Sequence, residues 1–116
     1  YILHFFRLFF PKNCEACGEH LLKSEEFLCT QCYYDLPRTK FHEHEDNPLN
    51  RMFYGITRIK FSTALFYFKK GSKFRKLIHK LKYNNQKEIG IELGRMMARE
   101  SAGSFFDEAD MIIHVP

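Results

Sequence analysis

Cys14-Glu15-Ala16-Cys17-Gly18 and Cys29-Thr30-Gln31-Cys32 are two C-x-x-C pairs separated by eleven residues, and together they hold all four cysteines of the chain. A C-x-x-C turn brings two thiolates to one point, and two such turns complete a tetrahedral four-sulfur shell for zinc. Gly18 stands where a turn of positive φ aims backbone N–H groups at the sulfurs. The intervening loop is somewhat shorter than the usual zinc spacing. A redox dithiol or two disulfides are the competing uses of such cysteines, and the duplicated pair at close range favours metal. Four thiolates leave no open coordination position, so zinc at Cys14, Cys17, Cys29 and Cys32 is expected to be structural. It would stand in for a core that so small a module does not build alone.

Upstream, Tyr1–Phe10 predicts a short helix with Ile2, Leu3, Phe6, Phe9 and Phe10 on a broad apolar face, stopped by Pro11. It is too short to span a bilayer, and it lacks the basic start and small-residue cleavage site of a signal peptide. No membrane insertion is expected, and the default location is the reducing cytoplasm, which also argues against disulfides. Of the 116 residues 45% are hydrophobic, with 13 Phe and 6 Tyr, so a packed core is expected and global disorder is excluded.

Downstream, the polar stretch Pro37–Pro48 with a proline at each end reads as a linker, and Leu49–Tyr54 as a helical turn. Ile59–Phe68 is rich in β-formers and aromatics and reads as a strand or hairpin arm, followed by a turn at Lys69-Lys70-Gly71-Ser72. Phe74, Leu77, Ile78 and Leu81 form one helical stripe, with Ser72 as its N-cap and Asn84-Asn85 as its end. Asn85 and Glu88 resemble a capping box for a second helix with the stripe Ile89, Leu93, Met96 and Met97, closed by Ser101–Asp110. Met111-Ile112-Ile113-His114-Val115 has the composition of a strand buried on both faces of a parallel sheet. Strand, helices and buried strand together predict the start of an α/β domain. The chain opens on Tyr1 and stops at Pro116 directly after that apolar run, so it is expected to be the N-terminal part of a longer protein.

The net charge of +4 is unevenly spread: from Asn47 to Lys87 there is no Asp or Glu but eleven Lys and Arg. Such segregation points to an anionic partner, phosphates or nucleic acid, against the plain alternative of a solvated helix face. Lys82, at the end of the basic helix beside Tyr83-Asn84-Asn85, is the candidate phosphate contact, acting as a point charge. Aromatics among the bases of Phe61–Lys70 would suit nucleic acid, although on a strand they are core residues more often. Among the six histidines, His42 and His44 read as part of the solvated linker, His20 as surplus to four sulfurs, His79 as exposed, and His114 as a partly buried strand residue.

Three stretches resemble the N-terminal half of the ComF family, competence-associated proteins related to type I phosphoribosyltransferases. Leu8-Phe9-Phe10-Pro11, the two cysteine pairs with Gly18, and Leu36-Pro37 resemble that family's zinc ribbon. Ala64-Leu65-Phe66-Tyr67, Gly71 and Leu77-Ile78-His79-Lys80-Leu81-Lys82-Tyr83 resemble its strand, turn and following helix. Asp110–Pro116 is similar to the strand entering its "PVP" segment, with His114 where the family usually has proline. The resemblance implies a small N-terminal zinc ribbon followed by the truncated start of an α/β phosphoribosyltransferase-like domain. The divisions would be 1–36 for helix and ribbon, 37–58 for linker and 59–116 for the incomplete α/β part. It further implies links to DNA uptake, phosphoribosyl pyrophosphate and Mg²⁺ as ligands of the full-length protein, and DNA or a competence ATPase as partner. The Gly/Thr-rich loop that cradles the 5′-phosphate in such enzymes is not among these 116 residues. This segment alone is therefore expected to be inactive, and whether the full protein is an enzyme stays open.

Overall fold

The computed structural model describes residues 2–9 and 11–116. Its helices are α1 (Ile2–Phe9), α2 (Thr30–Asp35), α3 (Pro48–Met52), α4 (Lys73–Tyr83) and α5 (Lys87–Ser101), with single 3₁₀ turns at Phe41–Glu43 and Phe105–Glu108. The chain divides into two compact units, Tyr1–Pro37 with Phe68–Glu92, and Arg38–Tyr67 with Leu93–Pro116.

In the first unit, α1 forms where apolar residues recur, and the ends of the expected helix at Tyr1 and Phe10 lie outside the described residues. Ile2, Phe5, Phe6, Leu8 and Phe9 of α1 are exposed. Helix α4 starts where Ser72 Oγ accepts the Arg75 N–H at 3.3 Å, the expected cap. It ends at Asn84, whose N–H donates to the Lys80 carbonyl at 2.9 Å. Leu77 on the apolar stripe is completely buried. The capping box expected at Asn85 and Glu88 gives way to a different start for α5. Asn85 adopts φ +53°, and its backbone carbonyl accepts the Lys87 N–H. Ile89 in the first turn of α5 is buried, and next to it Gly90 permits a close approach: a Cβ there would stand 3.3 Å from Leu81 Cδ1. Among the described residues, the remaining buried ones of this unit are Cys14, Ala16, Leu28, Cys32 and Leu36.

The second unit has a partly polar interior. The stretch expected as a linker carries Asn47 and Asn50, both buried. Asn47 Nδ2 donates to the carbonyls of Phe41, His44 and Ser62 at 3.3, 3.1 and 2.9 Å, while its Oδ1 accepts the Asn50 N–H at 2.9 Å and caps α3. Asn50 in turn donates to the Glu45 carbonyl and accepts from Ser62 Oγ. Phe66, Leu93 and Met96 supply the buried apolar side chains, and the Phe61 and Phe105 rings stack with centroids 4.1 Å apart.

The sheet expected for an α/β domain is not formed by the described residues. Pairing is limited to two isolated antiparallel bridges, Asn13 with His20 and Arg38 with Phe66. The backbone of the β-forming run 59–68 pairs with only Arg38 and Thr39 among the described residues, the Thr39 N–H donating to the Leu65 carbonyl at 3.2 Å. A propensity for strand needs a ladder partner to become a sheet, and two residues do not supply one. Residues 111–115 form no regular element, and Met111, Ile112, Ile113 and Val115 are 74–95% exposed; His114, expected to be partly buried, is exposed too. No helix among the described residues is long and apolar enough to cross a membrane.

Candidate metal centre

The two cysteine pairs are presented by different local structures. The first sits in a tight knuckle. Its ends are joined by the Asn13–His20 bridge, Cys14 N–H donates to the Glu19 carbonyl at 2.7 Å, and Gly18 N–H to the Cys14 carbonyl at 2.9 Å. Gly18 adopts φ +80°, the left-handed conformation its position after Cys17 predicts. His20 Nδ1 lies 2.9 Å from Asn13 Oδ1, so this histidine braces the knuckle. The second pair opens a helix: Cys29 is the N-cap of α2, its Sγ accepting the Cys32 N–H at 3.4 Å. Glu25 holds the approach to α2, Oε2 accepting the Leu22 N–H at 2.9 Å and Oε1 both the N–H and hydroxyl of Thr30 at 2.8 Å.

These two structures converge. One sulfur from each of Cys14, Cys17, Cys29 and Cys32 lies within 4.8 Å of the other three, and Cys17 Sγ is 3.7 Å from Cys29 Sγ. A tetrahedral site with Zn–S bonds of about 2.3 Å has sulfur–sulfur edges of about 3.8 Å, so the spacing fits zinc. It does not fit disulfides, whose sulfurs stand about 2 Å apart, and all four thiols are free. Cys14 and Cys32 are buried, Cys29 is half-buried and Cys17 is exposed.

The electrostatics describe sulfurs arranged to share charge. Burial acts to raise the Cys14 thiol, but backbone N–H groups of Cys29, Cys17 and Ala16 and the Cys17 thiol outweigh it and bring Cys14 down to about 6. The Cys29 N–H donates to Cys14 Sγ at 3.3 Å. Cys32 is pushed up to about 12, first by burial and then by the neighbouring thiols. Four thiolates held this close repel one another, so they accumulate together only with a cation among them. Four cysteine sulfurs would hold such an ion and leave it no position for water or substrate, which makes its chemistry structural.

Around the sulfurs, α4 supplies two cations. Lys73 Nζ donates to Asp35 Oδ2 at 2.9 Å, and Lys80 Nζ to the Glu15 carbonyl at 2.7 Å and Glu15 Oε2 at 3.0 Å. Neither contact is legible from local spacing, since each joins residues far apart in the chain. Lys82, the phosphate candidate, is exposed in the last turn of α4 and outside the sulfur cluster. His42 is half-buried and His44 exposed, and among the described residues only the four cysteines gather as a metal-binding group. Compared with known proteins, the chain matches no family model, no curated protein and no solved structure.

Proposed function

We propose that this chain is the zinc-ribbon-bearing part of a ComF-like, phosphoribosyltransferase-family protein that takes part in handling incoming DNA. Its four cysteines hold one structural zinc. The observation that carries the reading is the convergence of Cys14, Cys17, Cys29 and Cys32 to within 4.8 Å, in the segment whose sequence resembles that family's ribbon. Lys82, exposed at the end of α4, is the residue of this segment assigned to a phosphate of phosphoribosyl pyrophosphate. The test is a titration of the full-length protein with phosphoribosyl pyrophosphate and Mg²⁺, alongside its zinc content. One zinc per chain and saturable binding weakened by Lys82→Ala support the proposal; zinc without any such binding removes the transferase part. A second reading is favoured by the basic surface of α4, where Arg75 and Lys76 are exposed. In it, the chain is a non-catalytic zinc module that binds DNA or a partner ATPase.

A further inference from the structure

A cleft of about 530 Å³ lies in the first unit between the first cysteine knuckle and α4, lined among others by Gly18, Ser72, Arg75, Lys76, His79 and Lys80. At 100° per residue, Arg75, Lys76, His79 and Lys80 fall within one arc of about 140° around α4, with Arg75 and His79 farthest from buried Leu77. Glu15 also lines the cleft, and its carboxylate is engaged by Lys80 at 3.0 Å. With that pair matched, Arg75 and Lys76 leave the lining cationic, and both are exposed. His79 carries the same face towards Tyr83, one turn further on: their ring centroids are 4.8 Å apart, and Tyr83 is 73% exposed. A large aromatic ring kept in water beside cations is a stacking surface next to a phosphate site.

From this arrangement we infer that the cleft between the first cysteine knuckle and α4 binds the backbone of single-stranded nucleic acid. Arg75 and Lys76 meet its phosphates, and Tyr83 stacks against a base. A duplex would hide its base faces and leave Tyr83 with nothing to stack on, whereas a single strand offers phosphate and base face together. This deepens the nucleic-acid part of the proposed function and rests on it.

The test uses the whole zinc-loaded chain and a fluorescent oligothymidine of about 16 nucleotides, with anisotropy read across a salt series. The charge-reversal pair Arg75→Glu with Lys76→Glu is expected to weaken binding at least about tenfold. The slope of log affinity on log salt should fall by about one for each phosphate that the variant no longer neutralises. Tyr83→Ala is expected to weaken binding about tenfold with the slope unchanged. Arg58→Glu, which changes an exposed cation of the second unit, should leave affinity within about twofold. If the charge reversal lowers zinc content, the pair Arg75→Gln with Lys76→Gln takes its place. Wild-type binding that the cleft variants leave intact overturns the cleft while sparing a nucleic-acid role. No binding by the wild type at low salt overturns both.

Discussion

Cys29→Ser separates the metal from every other role of its residue. Cys29 is both a ligand candidate and the N-cap of α2, its sulfur accepting the Cys32 N–H. Serine ranks among the best N-caps, so the hydroxyl keeps the helix start while failing as a soft, anionic zinc ligand. What is lost is therefore the metal. At free zinc about a thousandfold above the dissociation constant, binding to the folded form contributes about 4 kcal/mol. The first unit spans Tyr1–Pro37 and Phe68–Glu92, and in a domain of that size each kcal/mol moves the melting temperature by about 4–8 °C. Cys29→Ser, or chelation of the wild type, should then lower the melting temperature by on the order of 20 °C. Cys29→Ala should lose about 1 kcal/mol more, for the missing cap. The assay is thermal unfolding by circular dichroism with and without chelator, paired with metal analysis of the purified protein. If Cys29→Ser carries one zinc per chain and melts like the wild type, or if chelator leaves the wild type unmoved, the four-sulfur assignment is refuted.

Leu77→Ala should destabilise the protein by about 2–5 kcal/mol, the cost of a cavity at a fully buried leucine, read as a shift in urea midpoint. Asn47→Asp puts an oxygen where Nδ2 now faces three carbonyl oxygens, and should cost about 3 kcal/mol or more in the same measurement; a neutral outcome would mean the buried amide network does not hold the second unit. The Glu25 carboxyl is held below its ordinary range by the N–H groups of Leu22 and Thr30 and the Thr30 hydroxyl. A folded-state value below the unfolded one stabilises at pH above about 4.3 and is lost as pH falls through the folded value. Wild type minus Glu25→Gln stability should accordingly shrink through that range, and a difference independent of pH would show the carboxylate is not what holds Thr30.

The four-cysteine cluster was legible because its chemistry is local. Two C-x-x-C turns and a glycine state the ligand set without reference to the rest of the fold. Helix α4 was legible for a similar reason, since a serine cap, a 3.6-residue stripe and an Asn-Asn end act within a few residues. The sheet failed on a non-local requirement: 59–68 and 111–115 have strand composition, but a strand exists only beside a partner. The buried asparagines were missed for the opposite reason. In the sequence, Asn47 and Asn50 look like turn residues flanking Pro48, and only the carbonyls of Phe41, His44, Glu45 and Ser62 closing around them show that they form an interior. That Cys29 would begin a helix left a weak trace, in Glu25 and Thr30 preceding Cys32. The Lys73–Asp35 and Lys80–Glu15 pairs left none.

Those two pairs bear on what an ion held by the four sulfurs would do for the fold. Lys73 and Lys80 stand seven residues apart on α4, about 10 Å along its axis, and they end on different halves of the metal centre: Asp35 closes α2, three residues after Cys32, and Glu15 follows Cys14. Each pair has side chains about one-third to two-fifths exposed. Such pairs contribute at most about 1 kcal/mol each, against about 2–5 kcal/mol for buried Leu77. Leucine therefore anchors α4, and the lysines set where it lies along the first knuckle and α2. Their carboxylate partners are in place only while the two cysteine-bearing turns are, and among the described residues two of the four largest fully buried side chains, Cys14 and Cys32, belong to the sulfur cluster rather than to hydrocarbon. Removing the ion should loosen the knuckle that carries Glu15, then the hold of Lys80 on it. The cleft whose walls are Gly18 and α4 would open with them. A metal that never touches nucleic acid would in this way decide whether the cleft can bind it.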